Sequence, residues 1–174
     1  PHVMINSINK GNEICGSEAV ATLLDNKLRP RRGKLTLSFA NVGAYETLDV
    51  RNPAPAKFLD INFNRIWDDR ILDGGDDAYE IRRAREMRPV VRQVDCLLDL
   101  LSDCFYRAPD PWFDPPLLSY VDKPAARAMA DKIAYPLHHI GCGTGGDGEH
   151  TRLLFEYARF SDPNDPAVGL LAEC

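Results

Sequence analysis

Leu35-Thr36-Leu37-Ser38-Phe39 alternates apolar and polar side chains one for one, which is the period of a strand with one wetted face. Leu48-Asp49-Val50 repeats the pattern in brief, and Leu59-Asp60-Ile61-Asn62-Phe63-Asn64 repeats it at greater length. Asn41-Val42-Gly43-Ala44 and Arg51-Asn52-Pro53-Ala54-Pro55 supply the turn residues between them. Three such segments in succession, each with one polar face, predict an antiparallel β-meander over about residues 34–66.

Working outward, Ser17-Glu18-Ala19-Val20-Ala21-Thr22-Leu23-Leu24 predicts a helix over about 17–27, with Gly16-Ser17 as capping residues and Pro30 and Gly33 as breakers. Downstream the period changes. Met87, Val90, Val91, Val94, Leu97, Leu98, Leu101, Cys104 and Phe105 recur three to four apart, which predicts helix over about 77–106. Pro89 either starts a second helix inside that span or kinks a longer one. Arg82, Arg85, Arg88 and Arg92 fall on the opposite, solvated side. Asp122-Lys123-Pro124 predicts a helix start, with helix over about 123–135. Leu153, Phe155 and Tyr157 predict a late strand at about 150–160. With no internal repeat and no long linker, the expectation is a single α+β domain over residues 1–174.

A chain of 174 residues that is 44% apolar and 27% charged can bury one sizeable core. No apolar run approaches the roughly 20 residues that cross a bilayer, and the first residues lack the layout of a signal peptide. Cys15, Cys96, Cys104, Cys142 and Cys174 are odd in number and scattered, which favours reduced thiols and a cytoplasmic setting. The net charge of −5 argues against nucleic acid as a partner. No cofactor is expected on these grounds.

The segment from His138 to His150 concentrates three of the four histidines with Cys142 and five glycines. Ile140-Gly141-Cys142-Gly143-Thr144-Gly145 resembles the glycine motif of S-adenosylmethionine-dependent methyltransferases. Such an enzyme would need an acidic residue before Ile140 and more sheet after it than 34 residues can supply. His138, His139, Cys142 and His150 are all ligand types that a tetrahedral zinc accepts, so a zinc-stabilised binding protein is one expectation. Thiol chemistry is another. Cys15 lies ahead of the first predicted helix, His150 opens the late strand and Asp162 follows it. That order resembles papain-like cysteine peptidases and transferases, which implies Cys15 as nucleophile, His150 as base and Asp162 as the orienting group.

The chain also carries two opposed charge runs. Lys27, Arg29, Arg31, Arg32 and Lys34 are basic; Asp68, Asp69, Asp73, Asp76 and Asp77 are acidic. Complementary patches of this kind steer association between subunits, and Trp112 and Phe113 in a proline-rich loop add an aromatic contact surface. Arg29, Arg31, Arg32, Trp112 and Phe113 are therefore the candidate partner-binding residues. The leading expectation is a non-enzymatic structural or interaction subunit contacting other protein subunits, of which a virus or phage particle component is one example. The cysteine-dependent hydrolase or transferase is the alternative.

Overall fold

The computed structural model describes residues 1–102, 117–133, 137–140 and 152–173. In chain order its elements are β1 (His2–Ser7), α1 (Ile14–Asp25), β2 (Lys34–Phe39), α2 (Val42–Tyr45), α3 (Asp69–Leu72), α4 (Tyr79–Val91), β3 (Cys96–Leu101), β4 (Leu117–Tyr120), α5 (Pro124–Ala130), β5 (Leu137–Ile140) and β6 (Val168–Glu173). The strands make one sheet in the order β2-β1-β3-β6-β4-β5. Within it β2, β1, β3 and β6 run parallel, β4 runs antiparallel to β6, and β5 runs parallel to β4. The architecture is a mixed, mostly parallel sheet flanked by helices. The expected antiparallel meander is not formed.

The reasons lie in particular residues. Of the three alternating segments only the first is a strand, and it pairs in parallel with β1. Residues 48–50 form a turn closed by a lone Asp49–Asn52 bridge. Around residue 60 the backbone has a better acceptor than a neighbouring strand. The carboxylate of Glu80 on α4 takes the N–H of Leu59 at 2.7 Å and those of Asp60 and Ile61 at 3.1 Å. Asn62 then accepts from Asn64 N at 3.0 Å and starts a 3-10 turn over Phe63–Arg65.

The helix expected over 77–106 ends at Val91, with Arg92 as its C-cap and Pro89 inside its last turn. Leu97, Leu98, Leu100 and Leu101 belong instead to β3, an interior strand covered on both faces. Such strands read as nearly continuous apolar runs, which periodicity cannot tell from a buried helix. Residues 154–160 form two 3-10 turns in place of the expected late strand, and the last strand lies at Val168–Glu173. Helices do occupy the regions expected at 17–27 and 123–135, as α1 and the shorter α5.

The core is two-sided. Met4, Leu97, Leu101 and Leu171 face Ile81, Ala84, Met87 and Val91 of α4, together with Phe63, Trp67, Phe155 and Phe160. Val168, Leu170 and Ala172 face Leu118, Tyr120 and the alanines of α5, with Leu98 and Leu100 packed alongside. Gly16 lets α1 lie directly on β3, because a Cβ there would sit 2.8 Å from Leu100 Cβ.

Candidate functional site at the carboxyl ends of β1 and β3

From β1 the chain passes through α1 to β2 on one side, while β3 lies on the other, so the sheet order reverses between β1 and β3. In open α/β sheets the crevice outside the carboxyl ends of the strands at such a point is where ligands bind. Here that position is polar and buried.

Asn6 and Asp99 are register partners on β1 and β3, so their side chains lie next to each other on one face. Asn6 Nδ2 donates to Asp99 Oδ1 at 2.8 Å and to Asn9 Oδ1 at 2.9 Å, and Asn9 Nδ2 donates to Asp99 Oδ2 at 2.7 Å. All three residues are fully buried. Asn6 Oδ1 has no hydrogen-bond partner among the described residues, which leaves an uncommitted acceptor inside the network.

Between Asn6 and Asn9 the chain turns sharply. Ile8 adopts φ of 59°, a left-handed conformation rare for a β-branched residue. The strain is held by hydrogen bonds from Ala40 N to Ser7 O and from Asn41 N to Ile8 O, both at 2.8 Å. This turn delivers Lys10 and Glu13 to the N-terminus of α1. Lys10 Nζ lies 2.5 Å from Glu13 Oε1, and Lys10 N donates to Glu13 Oε2 at 3.3 Å. The lysine is the partly exposed member of the pair, and the carboxylate lies beneath it.

Burial pushes the Glu13 carboxyl up to about 7 against the downward pull of Lys10, and Asp99 adds repulsion in the same direction as burial. Burial likewise raises Asp99 to about 6, although the donors on Asn6 and Asn9 pull it down. A carboxyl raised this way stays protonated in the folded chain after the unfolded chain has lost its proton. Its contribution to stability therefore falls as pH rises from the ordinary carboxylate value to the raised one. Asp68, lowered to about 2 chiefly by the hydrogen bond from Arg70, acts oppositely: its contribution is lost as pH falls below 3.8. Chemical unfolding followed from pH about 4 to about 8 should show stability declining toward neutrality, and Asp99→Asn should remove the part of the decline below pH about 6. An unchanged pH profile in Asp99→Asn would refute the assignment.

The residues singled out from sequence fall in several places. Cys15 is in the first turn of α1, two positions beyond Glu13 and half-buried. Asp162 is at the opposite end of the sheet from Cys15. Its carbonyl accepts from Lys123 Nζ beside Asp165, whose partner Arg159 also reaches Asp95 and Val94 O just before β3 begins. Gly16, by contrast, touches Leu100 near the end of β3. A six-residue strand separates the two ends by roughly 16–20 Å, so Asp162 does not orient an imidazole at Cys15. His150, Cys142, Trp112 and Phe113 lie outside the described residues. His138 and His139 fall on β5, with Leu118 and Ser119 as backbone partners. Among the described residues no three His, Cys, Asp or Glu side chains group to hold a metal ion.

Each member of the acidic run has a partner within the chain. Asp68 pairs with Arg70 at 2.9 Å, Asp69 with Arg92 at 2.8 Å, Asp73 with Arg88 at 2.6 Å and Asp77 with Arg82 at 3.4 Å. Asp76 accepts from Ala78 N. The arginine face of α4 is thereby accounted for as well, with Arg85 holding Leu72 O and Gly74 O. A shallow cleft of about 420 Å³ beside the carboxyl end of β2 is lined by Val42, Tyr79, Arg82, Arg83 and Glu86. Its Arg83 is already committed to Ala40 O, Phe39 O and Glu86.

Asn6, Asn9, Lys10, Glu13 and Asp99 were not singled out from sequence. One signal was available: Asp99 sits in Leu97-Leu98-Asp99-Leu100-Leu101, a charge inside an apolar run. No helix among the described residues is long and apolar enough to cross a membrane.

No protein-family model matches the chain, and no curated protein does. Solved structures do. Murine aminoacylase 3 superposes with a TM-score of 0.65 at 18% identity, covering 99% of this chain and 55% of its own. Succinylglutamate desuccinylase from Vibrio cholerae gives 0.66 at 16% identity, over 99% and 48%. The Chromobacterium violaceum enzyme of the same name gives 0.66 at 15%, over 99% and 54%. The likeness is one of fold, and the chain spans about half the length of these structures. These three structures are named as an aminoacylase and two succinylglutamate desuccinylases, which overturns the expectation of a non-enzymatic structural subunit or virus particle component.

Proposed function

We propose that the chain is a hydrolase that cleaves the amide bond of small N-acylated amino acids at the carboxyl ends of β1 and β3. The observation that carries this reading is the Lys10–Glu13 pair, delivered by a strained turn to the reversal point of a sheet whose fold is shared with aminoacylase 3 and succinylglutamate desuccinylases. A carboxyl raised to about 7 exchanges its proton near neutrality, which suits a general base and then a general acid. In the reading proposed, Glu13 takes a proton from the attacking water, and the water oxygen bonds to the acyl carbon. Lys10 stabilises the negative charge that develops on the acyl oxygen. The C–N bond then breaks, and Glu13 returns the proton to the departing amine. Asp99 acts as a positioning residue by holding Asn6 and Asn9.

The test is release of free amine from N-acetylated amino acids and from N-succinylglutamate, with and without a chelator. Glu13→Gln should lower kcat/KM by about 10²–10⁴-fold while the circular dichroism spectrum stays unchanged. Absence of turnover on every acylated substrate, or full activity in Glu13→Gln, would defeat the proposal. The cysteine-dependent version is favoured by one observation, the position of Cys15 in the same helix start. Cys15→Ala separates the two, because only a nucleophilic thiol makes that variant inactive while Glu13→Gln remains active.

A further inference from the structure

The Lys27–Lys34 run takes no part in the site described above. It leads from α1 into β2, at the end of the sheet opposite Lys10 and Glu13. Lys27, Arg29, Arg31, Arg32 and Lys34 are exposed, and none has an ion-pair partner among the described residues. Five uncompensated cations in about eight residues, in a chain of net charge −5, form a local field of the opposite sign to the whole.

The strand that follows is open. Among the described residues β2 pairs only with β1 and forms one edge of the sheet. Lys34 N donates to Pro1 O and Ala40 N to Ser7 O, so the even-numbered residues of β2 face β1. The backbone groups of Leu35, Leu37 and Phe39 therefore point away from the sheet. Phe39 O is taken by Arg83 at 3.1 Å. Among the described residues, Leu35 and Leu37 have no strand beyond them. Edges are usually blunted by proline, by a bulge or by charges along the strand. In β2 the one charge is Lys34 at its start; Leu35-Thr36-Leu37-Ser38-Phe39 has neither proline nor charge, and its register with β1 runs without a bulge. Just before it, Leu24 and Leu28 are 46% and 42% exposed.

We propose that this edge is a docking site for an acidic polypeptide segment that adds to β2 as an extra strand, with its carboxylates against the basic run. Backbone pairing to Leu35 and Leu37 supplies affinity, and the cations set the partner's charge. A second copy of the chain is the poorer occupant, because it brings an identical basic run to the same edge.

The probe is a fluorescein-labelled twelve-residue peptide of alternating Glu and Val, titrated by anisotropy at low salt. Saturable binding is expected, weakened at least about tenfold by Arg31→Glu with Arg32→Glu and by high salt. The same peptide N-methylated at alternate residues should not bind. Leu37→Pro should also lose binding with Tm little changed, since the Leu37 N–H points outward and edge strands tolerate proline. Equal binding of the N-methylated peptide would overturn the proposal even if Leu37→Pro fails to fold. So would tighter binding of a short DNA duplex, a dimer formed through β2, or no saturation by about 1 mM peptide.

Discussion

Glu80→Ala is expected to lower the free energy of unfolding by about 3–5 kcal/mol, since it removes a buried acceptor and orphans the backbone donors it holds. Glu80 is fully buried. Besides the three backbone N–H groups at 59–61, its carboxylate accepts from Asn41 Nδ2 at 3.2 Å. The three backbone donors belong to a loop with no ladder of its own, whereas Asn41 Nδ2 has a second acceptor in Asn9 O at 3.5 Å. Glu80→Gln keeps one acceptor oxygen and should cost less, about 1–2 kcal/mol. Urea unfolding monitored by Trp67, buried against Phe63 and Tyr157, reads both values. A loss below about 1 kcal/mol in Glu80→Ala would show that water replaces the carboxylate.

The other large loss is expected from Lys123→Met, at about 1–3 kcal/mol. The side chain is 3% exposed, and its ammonium donates to Arg159 O and Asp162 O at 3.1 Å and to Asp165 O at 3.0 Å. Three carbonyls converge on one cation, which ties the start of α5 to the loop that feeds β6. Burial lowers the proton affinity of this lysine, against the upward pull of Asp165 and Asp162. Methionine keeps the shape of the stem but removes the donor to Asp165 O, while Arg159 O and Asp162 O keep only the longer bonds from Asp162 N at 3.3 Å and Asp165 N at 3.2 Å. Arginine is no substitute, because its planar fork cannot place donors in a converging triad. If Lys123→Arg unfolded no more easily than the native chain, the convergence would not be what holds the loop.

Both residues also mark what sequence could and could not reveal. Lys123 was legible in part, since Asp122-Lys123-Pro124 announces a helix start and α5 begins at Pro124. Its long-range contacts were not, because three carbonyls 36 to 42 positions away leave no trace in local pattern. The alternation of Leu59, Ile61 and Phe63 marks no strand face: it lies in a loop pinned on Glu80, with Phe63 buried and Leu59 exposed. β1 went unseen because His2 and Asn6 interrupt its apolar run, and both are buried by specific hydrogen bonds. β3 extended the spacing of α4 by coincidence of its leucines. The candidate site was hidden for a related reason: Asn6, Glu13 and Asp99 are separate letters until parallel pairing brings positions 93 apart into contact.

The placement of β6 has a consequence for the order in which the molecule assembles. The strand made last among those described is an interior one, inserted between β3 and β4. Until residue 173 has left the ribosome, β3 has one bare edge and β4 with β5 has nothing to join. Parallel pairs of such sequence separation close slowly, because the loop entropy falls due before the contacts that offset it. The nascent chain should therefore carry two unfinished half-sheets, each exposing an apolar edge, and be most prone to aggregate just before synthesis passes β6. Shortening the chain from the C-terminal side by a single strand would fix it in that condition.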